Sequence, residues 1–193
     1  PTIQIGIDPS ELGRNYPAKV SIMADARSAL RSLLDVLEPV GFREDRLEEV
    51  KDVKRRWSEE FAPLFNSDAS PMRPERICRE IVEHLPSNTL VTSDTGHAGI
   101  WSGVMMQLRD PGLNFIRCVG SLGWGLPASI GAKASVPDRP VLCFTGDGGF
   151  WYHIAELETA LRHNINPVIV VNDNHSLNQE KGPIGNTSFG QAY

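Results

Sequence analysis

The chain is short of several things, and each shortage removes a class of function. It has no excess of positive charge: 19 Lys and Arg stand against 24 Asp and Glu, for a net charge of −5 at pH 7. No broad basic face is expected, and nucleic acid is not expected as a partner. No apolar run approaches the roughly 20 residues that a bilayer span needs. No signal peptide is visible, so no membrane partner is expected either. Only three cysteines occur in 193 residues. Cys78, Cys118 and Cys143 stand too far apart for metal-ligand spacing and are expected to be buried, reduced thiols of a cytoplasmic protein. A GxGxxG nucleotide loop is also missing. The glycine-rich turn reads Gly146-Asp147-Gly148-Gly149, and no clear acidic residue stands about 20 positions further on, at the end of the next strand.

What the chain does have is concentrated in residues 141–180. The apolar run 141–144 predicts a strand, broken by the glycine turn. Ile154, Leu157 and Leu161 follow a helical period and predict a crossover helix with that face inward. Asn166-Pro167 punctuates the chain. The β-branched run 168–171 predicts a buried parallel strand, closed by Asn172-Asp173-Asn174. This is a βαβ unit, so both polar turns are expected at the carboxyl edge of one sheet, where open α/β sheets bind ligands. Asp147 offers a lone carboxylate between glycines, and Asn174 offers an amide oxygen. With a nearby carbonyl these make a hard-oxygen set suited to Mg²⁺, which leaves positions for phosphate and water. Gly146, Gly148 and Gly149 allow close backbone approach, and the last two offer amides to a diphosphate.

The rest of the chain supports the same architecture. Residues 2–8 and 19–23 read as strands. A helix over 24–37 follows, N-capped by Asp25, with Ala26, Ala29, Leu30, Leu33, Leu34 and Leu37 as its apolar stripe. This opening unit is too small to bury a core by itself. Residues 43–57 predict a charged, solvated connecting helix with a thin stripe of Leu47, Val50 and Trp57. Residues 59–74 are rich in proline, serine and asparagine and read as linker, with a boundary near Ser70. Pro74 starts a helix at its first turn, with Ile77, Ile81, Val82 and Leu85 inward. A strand over 89–92 leads to the turn Ser93-Asp94-Thr95-Gly96-His97, then a helix carrying Trp101, Val104, Met105 and Leu108. A strand over 115–119 leads to Gly120-Ser121-Leu122-Gly123-Trp124-Gly125 and a small-residue helix. This alternation predicts a doubly wound parallel α/β sheet covered on both faces. Thr95, Gly96 and His97 are candidate donors to phosphate oxygens.

The GDG turn at 146–148 and the Asn-Asp-Asn turn at 172–174, with the segment GSLGWGLPASIGA from Gly120, resemble the fingerprint of thiamine-diphosphate-dependent enzymes of the acetolactate synthase and 2-oxo-acid decarboxylase group. The resemblance covers nearly the whole chain. It implies the end of a central domain over 1–40, a linker over 41–73, and a pyrophosphate-binding domain over 74–193 that is expected to be incomplete at its C-terminus. It implies Asp147, the side chain of Asn174 and the carbonyl of Ser176 as Mg²⁺ ligands. It implies Thr95, Gly96, His97, Gly146, Gly148 and Gly149 around the diphosphate. The carbonyl of Gly120 would accept from the aminopyrimidine, and Leu122 would be the apolar prop that bends the cofactor. A preorganised wedge of that kind lowers the cost of activation.

The implied chemistry is decarboxylation of a 2-oxo acid followed by acetolactate-type carboligation; simple decarboxylation of the benzoylformate or pyruvate type stays open, as does a non-catalytic cofactor-binding module. The pattern of residues 7–17 followed by the 24–37 helix resembles central domains that in some members bind FAD near a position like Asp25, so FAD is a possible second cofactor. The activating glutamate of the family belongs to a pyrimidine-binding domain in a missing segment or a partner subunit. Glu156 and Glu158 lie in the crossover helix and are not expected to replace it. The chain is therefore expected to be a piece of a longer, homo-oligomeric enzyme, with no catalytic residue of its own and no activity alone. His175 and Gln179, just after the metal turn, are further candidates to face substrate.

Overall fold

A computed structural model describes residues 1–39, 41, 43–112 and 114–180. The last thirteen residues of the expected pyrophosphate-binding domain, 181–193, lie outside them. The chain divides into two compact units, Pro1–Lys54 and Arg55–Tyr193. The helix Glu44–Phe65 runs across that division.

In the first unit β1 (Ile3–Gly6) pairs in parallel with β2 (Val20–Met23), with Ile3 opposite Val20 and Ile5 opposite Ile22. The intervening loop is held by Gln4, whose amide donates to the Glu11 carbonyl at 2.8 Å and accepts from the Gly13 amide at 2.7 Å. Helix α1 (Ala26–Val36) is capped by Asp25, which accepts from the Ser28 amide at 3.0 Å. Only part of the α1 stripe is covered. Ala29 is buried, but Leu30, Leu34 and Leu37 are exposed, against expectation. A two-stranded ribbon shields only a narrow strip of one helix face.

Helix α2 (Glu44–Phe65) is solvated over its first half, where Arg46–Glu49 and Lys51–Glu48 pair one turn apart. The helix continues past the expected end and contains Pro63. Trp57, Phe61 and Phe65 explain this. Trp57 stacks on Phe61 with ring centroids 4.9 Å apart, and Phe65 is buried. That apolar contact outweighs the one backbone hydrogen bond the proline removes.

The second unit continues with α3 (Pro74–His84), β3 (Leu90–Ser93), α4 (Gly96–Met105), β4 (Asn114–Arg117) and α5 (Gly125–Ser135). Then come β5 (Val141–Gly146), α6 (Asp147–Tyr152), α7 (Glu156–Arg162) and β6 (Val168–Asn172). All strand pairs are parallel, and the sheet order is β4-β3-β5-β6. Strand residues alternate between the two faces. Val91, Leu142 and Phe144 pack with Phe65, Cys78, Ala98 and Met105 on one side. Leu126, Ile130 and Ala160 form the core on the other. The sheet is thus covered on both faces, the doubly wound arrangement.

Several expectations are corrected here. The crossover is two short helices, and its inward residue is Ala160; Leu157 and Leu161 are 36% and 80% exposed. The sheet offers β6 only one described neighbour, so this strand lies at an edge and Val168 is 60% exposed. Val104 points outward from α4. Of the cysteines, Cys78 and Cys143 are buried, but Cys118 is only half-buried. Burial pushes the Cys78 thiol up to about 12 and the Cys143 thiol up to about 11. The thiolate is the reactive form. Native protein treated with iodoacetamide near pH 8 is therefore expected to carry label on Cys118 alone, with Cys78 and Cys143 reacting after denaturation; peptide mapping by mass spectrometry reads the result.

Candidate functional site

Because every strand of the larger sheet is parallel, the turns after β3, β4, β5 and β6 share one edge. The chain leaves β3 for β4 on one side, then returns to β5 on the other and moves on to β6. The connections therefore diverge between β3 and β5, the switch point where open α/β sheets form their ligand crevice. A cavity of about 240 Å³ lies there. It is lined by Thr95, Gly96, His97, Gly120, Leu122, Gly146, Asp147, Gly148, Gly149, Asn174 and Ser176. The sheet edge thus brings together all eleven candidate site residues, contributed by four separate turns.

The turns reach this position for local reasons. Thr95 is extended and precedes α4; Gly96 sits at φ +71°, a left-handed conformation that a side chain would strain. His97 faces Asn178 across the cavity mouth, Nδ1 to Nδ2 3.4 Å. Asp147 opens α6, so the Gly148 and Gly149 amides lie in a first turn without intrahelical acceptors. The Asp147 carboxylate accepts from the Ser176 amide at 2.9 Å, which joins the GDG turn to the turn after β6. Gln179 lines the cavity. His175 does not: its side chain is 91% exposed and turned toward Asp173, 3.3 Å away.

Asp94 is the residue that the sequence reading left without a role. Its side chain is fully buried. One carboxylate oxygen accepts from the amides of Thr95 at 2.7 Å and Gly123 at 2.9 Å. The other accepts from the Gly125 amide at 2.9 Å and the Thr145 hydroxyl at 3.4 Å. The only signal in the sequence is an acidic residue at the carboxyl end of a strand; apart from the adjacent Thr95, its partners lie 29, 31 and 51 positions away.

The cavity is not an anion trap by charge. Among the described residues its ionisable lining is Asp147, Glu180 and His97, with no lysine or arginine. No group of three or more His, Cys, Asp or Glu among the described residues could hold a metal by itself. A cation here would rest on Asp147 together with amide, carbonyl and ligand oxygens, a donor set that fits Mg²⁺ rather than a soft metal.

A parallel α/β sheet whose glycine turns line a cavity at the switch point is the doubly wound class of ligand-binding domain. Comparison with known proteins gives the family. Residues 94–193 match the thiamine pyrophosphate enzyme C-terminal TPP-binding domain. The chain is 34% identical over 190 residues to a probable acetolactate synthase large subunit of Methanocaldococcus jannaschii, covering 91% of this chain and 30% of that protein. It is 31% identical over 189 residues to that of Methanococcus aeolicus, covering 91% and 31%. Against the acetolactate synthase isozyme 3 large subunit of Escherichia coli the identity is 29% over 178 residues, covering 90% and 30%. The chain belongs to the thiamine pyrophosphate enzyme family. It spans about three-tenths of the length of these relatives.

The packing beneath the cavity leaves little room. A Cβ on Gly149 would lie 3.0 Å from both Asp94 Cγ and Thr145 Oγ1. Gly149→Ala is therefore expected to lower stability by about 1–3 kcal/mol, the usual range for overpacking; chemical denaturation of the purified protein measures it.

Proposed function

We propose that this chain supplies the diphosphate- and metal-binding half of a thiamine-diphosphate- and Mg²⁺-dependent enzyme acting on 2-oxo acids, with acetolactate-type carboligation after decarboxylation. The observation that carries the reading is the convergence of the GDG turn, the turn after β6, the Thr95–His97 turn and the Leu122 loop on one cavity. The names of the relatives support the carboligase form.

In this reading Asp147, Asn174 and the Ser176 carbonyl hold the cation. Thr95, Gly96, His97 and the Gly148 and Gly149 amides hold the diphosphate. When bound, thiamine diphosphate supplies a nucleophilic carbon for the 2-oxo acid carbonyl and an electron sink as carbon dioxide leaves. Leu122 is the apolar wedge against the middle of the cofactor, and the Gly120 carbonyl accepts a hydrogen bond from its aminopyrimidine. The glutamate that activates that ring comes from a pyrimidine-binding domain of the intact protein or a partner subunit; Glu156 and Glu158 sit on α7, away from the cavity lining. The remaining assignments follow: residues 1–40 as the end of a central domain, 41–73 as the connection and 74–193 as the pyrophosphate-binding domain of a cytoplasmic homo-oligomer. Asp25, which the resemblance sets near a flavin, is engaged in capping α1.

The cavity's charge gives the cation a definite task. A diphosphate placed beside Asp147 and Glu180 without it would meet like charge. Titration calorimetry of the full-length protein with thiamine diphosphate, NAD and ATP tests the reading: only the first is expected to bind, and a preference for a nucleotide overturns it. Chelation of divalent cations is expected to weaken thiamine diphosphate binding by about 100-fold, near the top of ordinary coupling between sites. Asp147→Ala is expected to remove the metal dependence and leave the fold intact; unchanged affinity removes Asp147 from the metal. Leu122→Ala is expected to lower turnover more than cofactor affinity. With pyruvate as substrate, acetolactate rather than acetaldehyde as the product separates carboligation from simple decarboxylation.

A further inference from the structure

We infer that Asp94 is a positioning residue: its carboxylate sets the loop between β4 and α5, and through it Leu122 and Gly120, against the turns that hold the diphosphate. This rests on the reading of the cavity given above. Asp94 does not line the cavity, so it acts on the bound cofactor only through the segments it holds. Those segments are three. Thr95 lies on its own turn, Gly123 and Gly125 lie on the β4–α5 loop, and Thr145 precedes the GDG turn.

The loop depends on this contact. Residues 118–124 belong to no strand or helix. Besides Asp94, its anchors are a 3.3 Å hydrogen bond from the Gly120 amide to Thr95 Oγ1, two internal 3.3 Å contacts to the Ser121 carbonyl, from Cys118 Sγ and the Trp124 amide, and, at its end, the Trp124 carbonyl, which accepts from the Ala128 amide of α5 at 3.0 Å. The two shortest bonds that fix the loop, both 2.9 Å, end on Asp94 and bracket Trp124. Leu122 directly precedes the first of them. Glycines make the approach possible. A Cβ on Gly125 would lie 3.0 Å from Asp94 Cβ, N and Oδ2. Gly123 sits at φ +91°, where a Cβ would lie 2.6 Å from Tyr152 Cβ. An asparagine would keep the shape of Asp94 but turn an NH₂ group toward N–H donors that already point inward, so part of the set must open.

The test uses the full-length protein and compares wild type, Asp94→Asn and Thr145→Val, the last removing one donor while keeping volume. Three quantities are read: amide hydrogen exchange in peptides covering 119–126 and 141–145, thiamine diphosphate affinity at saturating Mg²⁺, and turnover at saturating cofactor. In Asp94→Asn we expect faster exchange at 119–126 with 141–145 unchanged. Turnover is expected to fall by about tenfold to 100-fold, the cost of a small misplacement at a reacting centre, and affinity is expected to fall less. Thr145→Val is expected to act in the same direction by about threefold, the weight of one ordinary hydrogen bond, which keeps the test open where Asp94→Asn does not fold. Equal acceleration of exchange in both segments, with wild-type turnover per folded molecule, makes Asp94 a structural residue only and overturns the proposal. So does wild-type exchange at 119–126 in the variants. Failure of the wild-type protein to bind thiamine diphosphate overturns the functional reading instead, and the exchange data still decide whether the carboxylate holds the loop.

Discussion

A single buried carboxylate ties the cavity walls together. Burying a carboxylate costs several kcal/mol even after relaxation. Hydrogen bonds to a charged group return about 1.5–3 kcal/mol each, and one left unmade costs about as much. The four donors on Asp94, three amides and a hydroxyl, are of the right number to offset that cost. They also make the offset conditional: each donor lies on a segment that must be in place for the carboxylate to be satisfied. The other buried carboxylate, Glu75, shows a different solution. Its burial is countered by Arg73 Nη2, 3.0 Å away, and the net effect holds its carboxyl below the usual carboxylate range. That pair serves one helix end. Asp94 joins three segments at once, through three backbone amides and the Thr145 hydroxyl.

The sheet supplies the frame on which that tie works. Parallel strands direct every connection after a strand to the same edge, and the order β4-β3-β5-β6 opens that edge between β3 and β5. Hydrophobic cores on both faces fix the strands. Phe144, with no exposed surface, sits in one of them, two residues before the GDG turn. The glycines then serve two purposes. Gly125 and Gly149 let segments close on Asp94 and Gly148 leaves room for Leu177 against the GDG turn, while Gly146 leaves the lining open, with no atom nearer than 3.9 Å to a Cβ placed there. A rigid frame with a backbone-lined cavity suits a ligand held by its phosphates, where geometry matters more than side-chain variety.

Much of this was legible in the sequence, and the parts that were not have identifiable causes. The doubly wound class followed from alternating strand and helix signals. Of the eleven candidates that line the cavity, Thr95, Gly96, His97, Gly146, Asp147, Gly148, Gly149 and Asn174 followed from turn motifs, whereas Gly120, Leu122 and Ser176 followed only from the resemblance. Asp94 was not legible as a tie. Its turn was plain, but apart from the adjacent Thr95 its partners are distant, and three of the four are backbone amides, which leave no mark of their own in a sequence. The end of α2 was misread because Pro63 signals a break, whereas Trp57, Phe61 and Phe65 find a core whose position no local pattern reports. Leu157, Leu161 and Val168 show the converse. Leu157 and Leu161 carry a helical period, but the crossover divides into two short helices and turns Ala160 inward, and Val168 lies in a strand with one described neighbour.

The acidic character of the cavity bears on how the proposed site must behave. A pocket lined by arginine or lysine would bind a diphosphate with or without metal. One whose ionisable lining, among the described residues, is Asp147, Glu180 and His97 offers an anion its amide and hydroxyl donors beside like charge, and gains affinity when a cation is present. Linkage then requires that the diphosphate raise the affinity for the cation by the same factor. This is consistent with a structure in which Asp147 accepts a hydrogen bond from the Ser176 amide and joins the two metal-side turns. The carboxylate orders one side of the site through the protein, and the cation would order the other through the ligand.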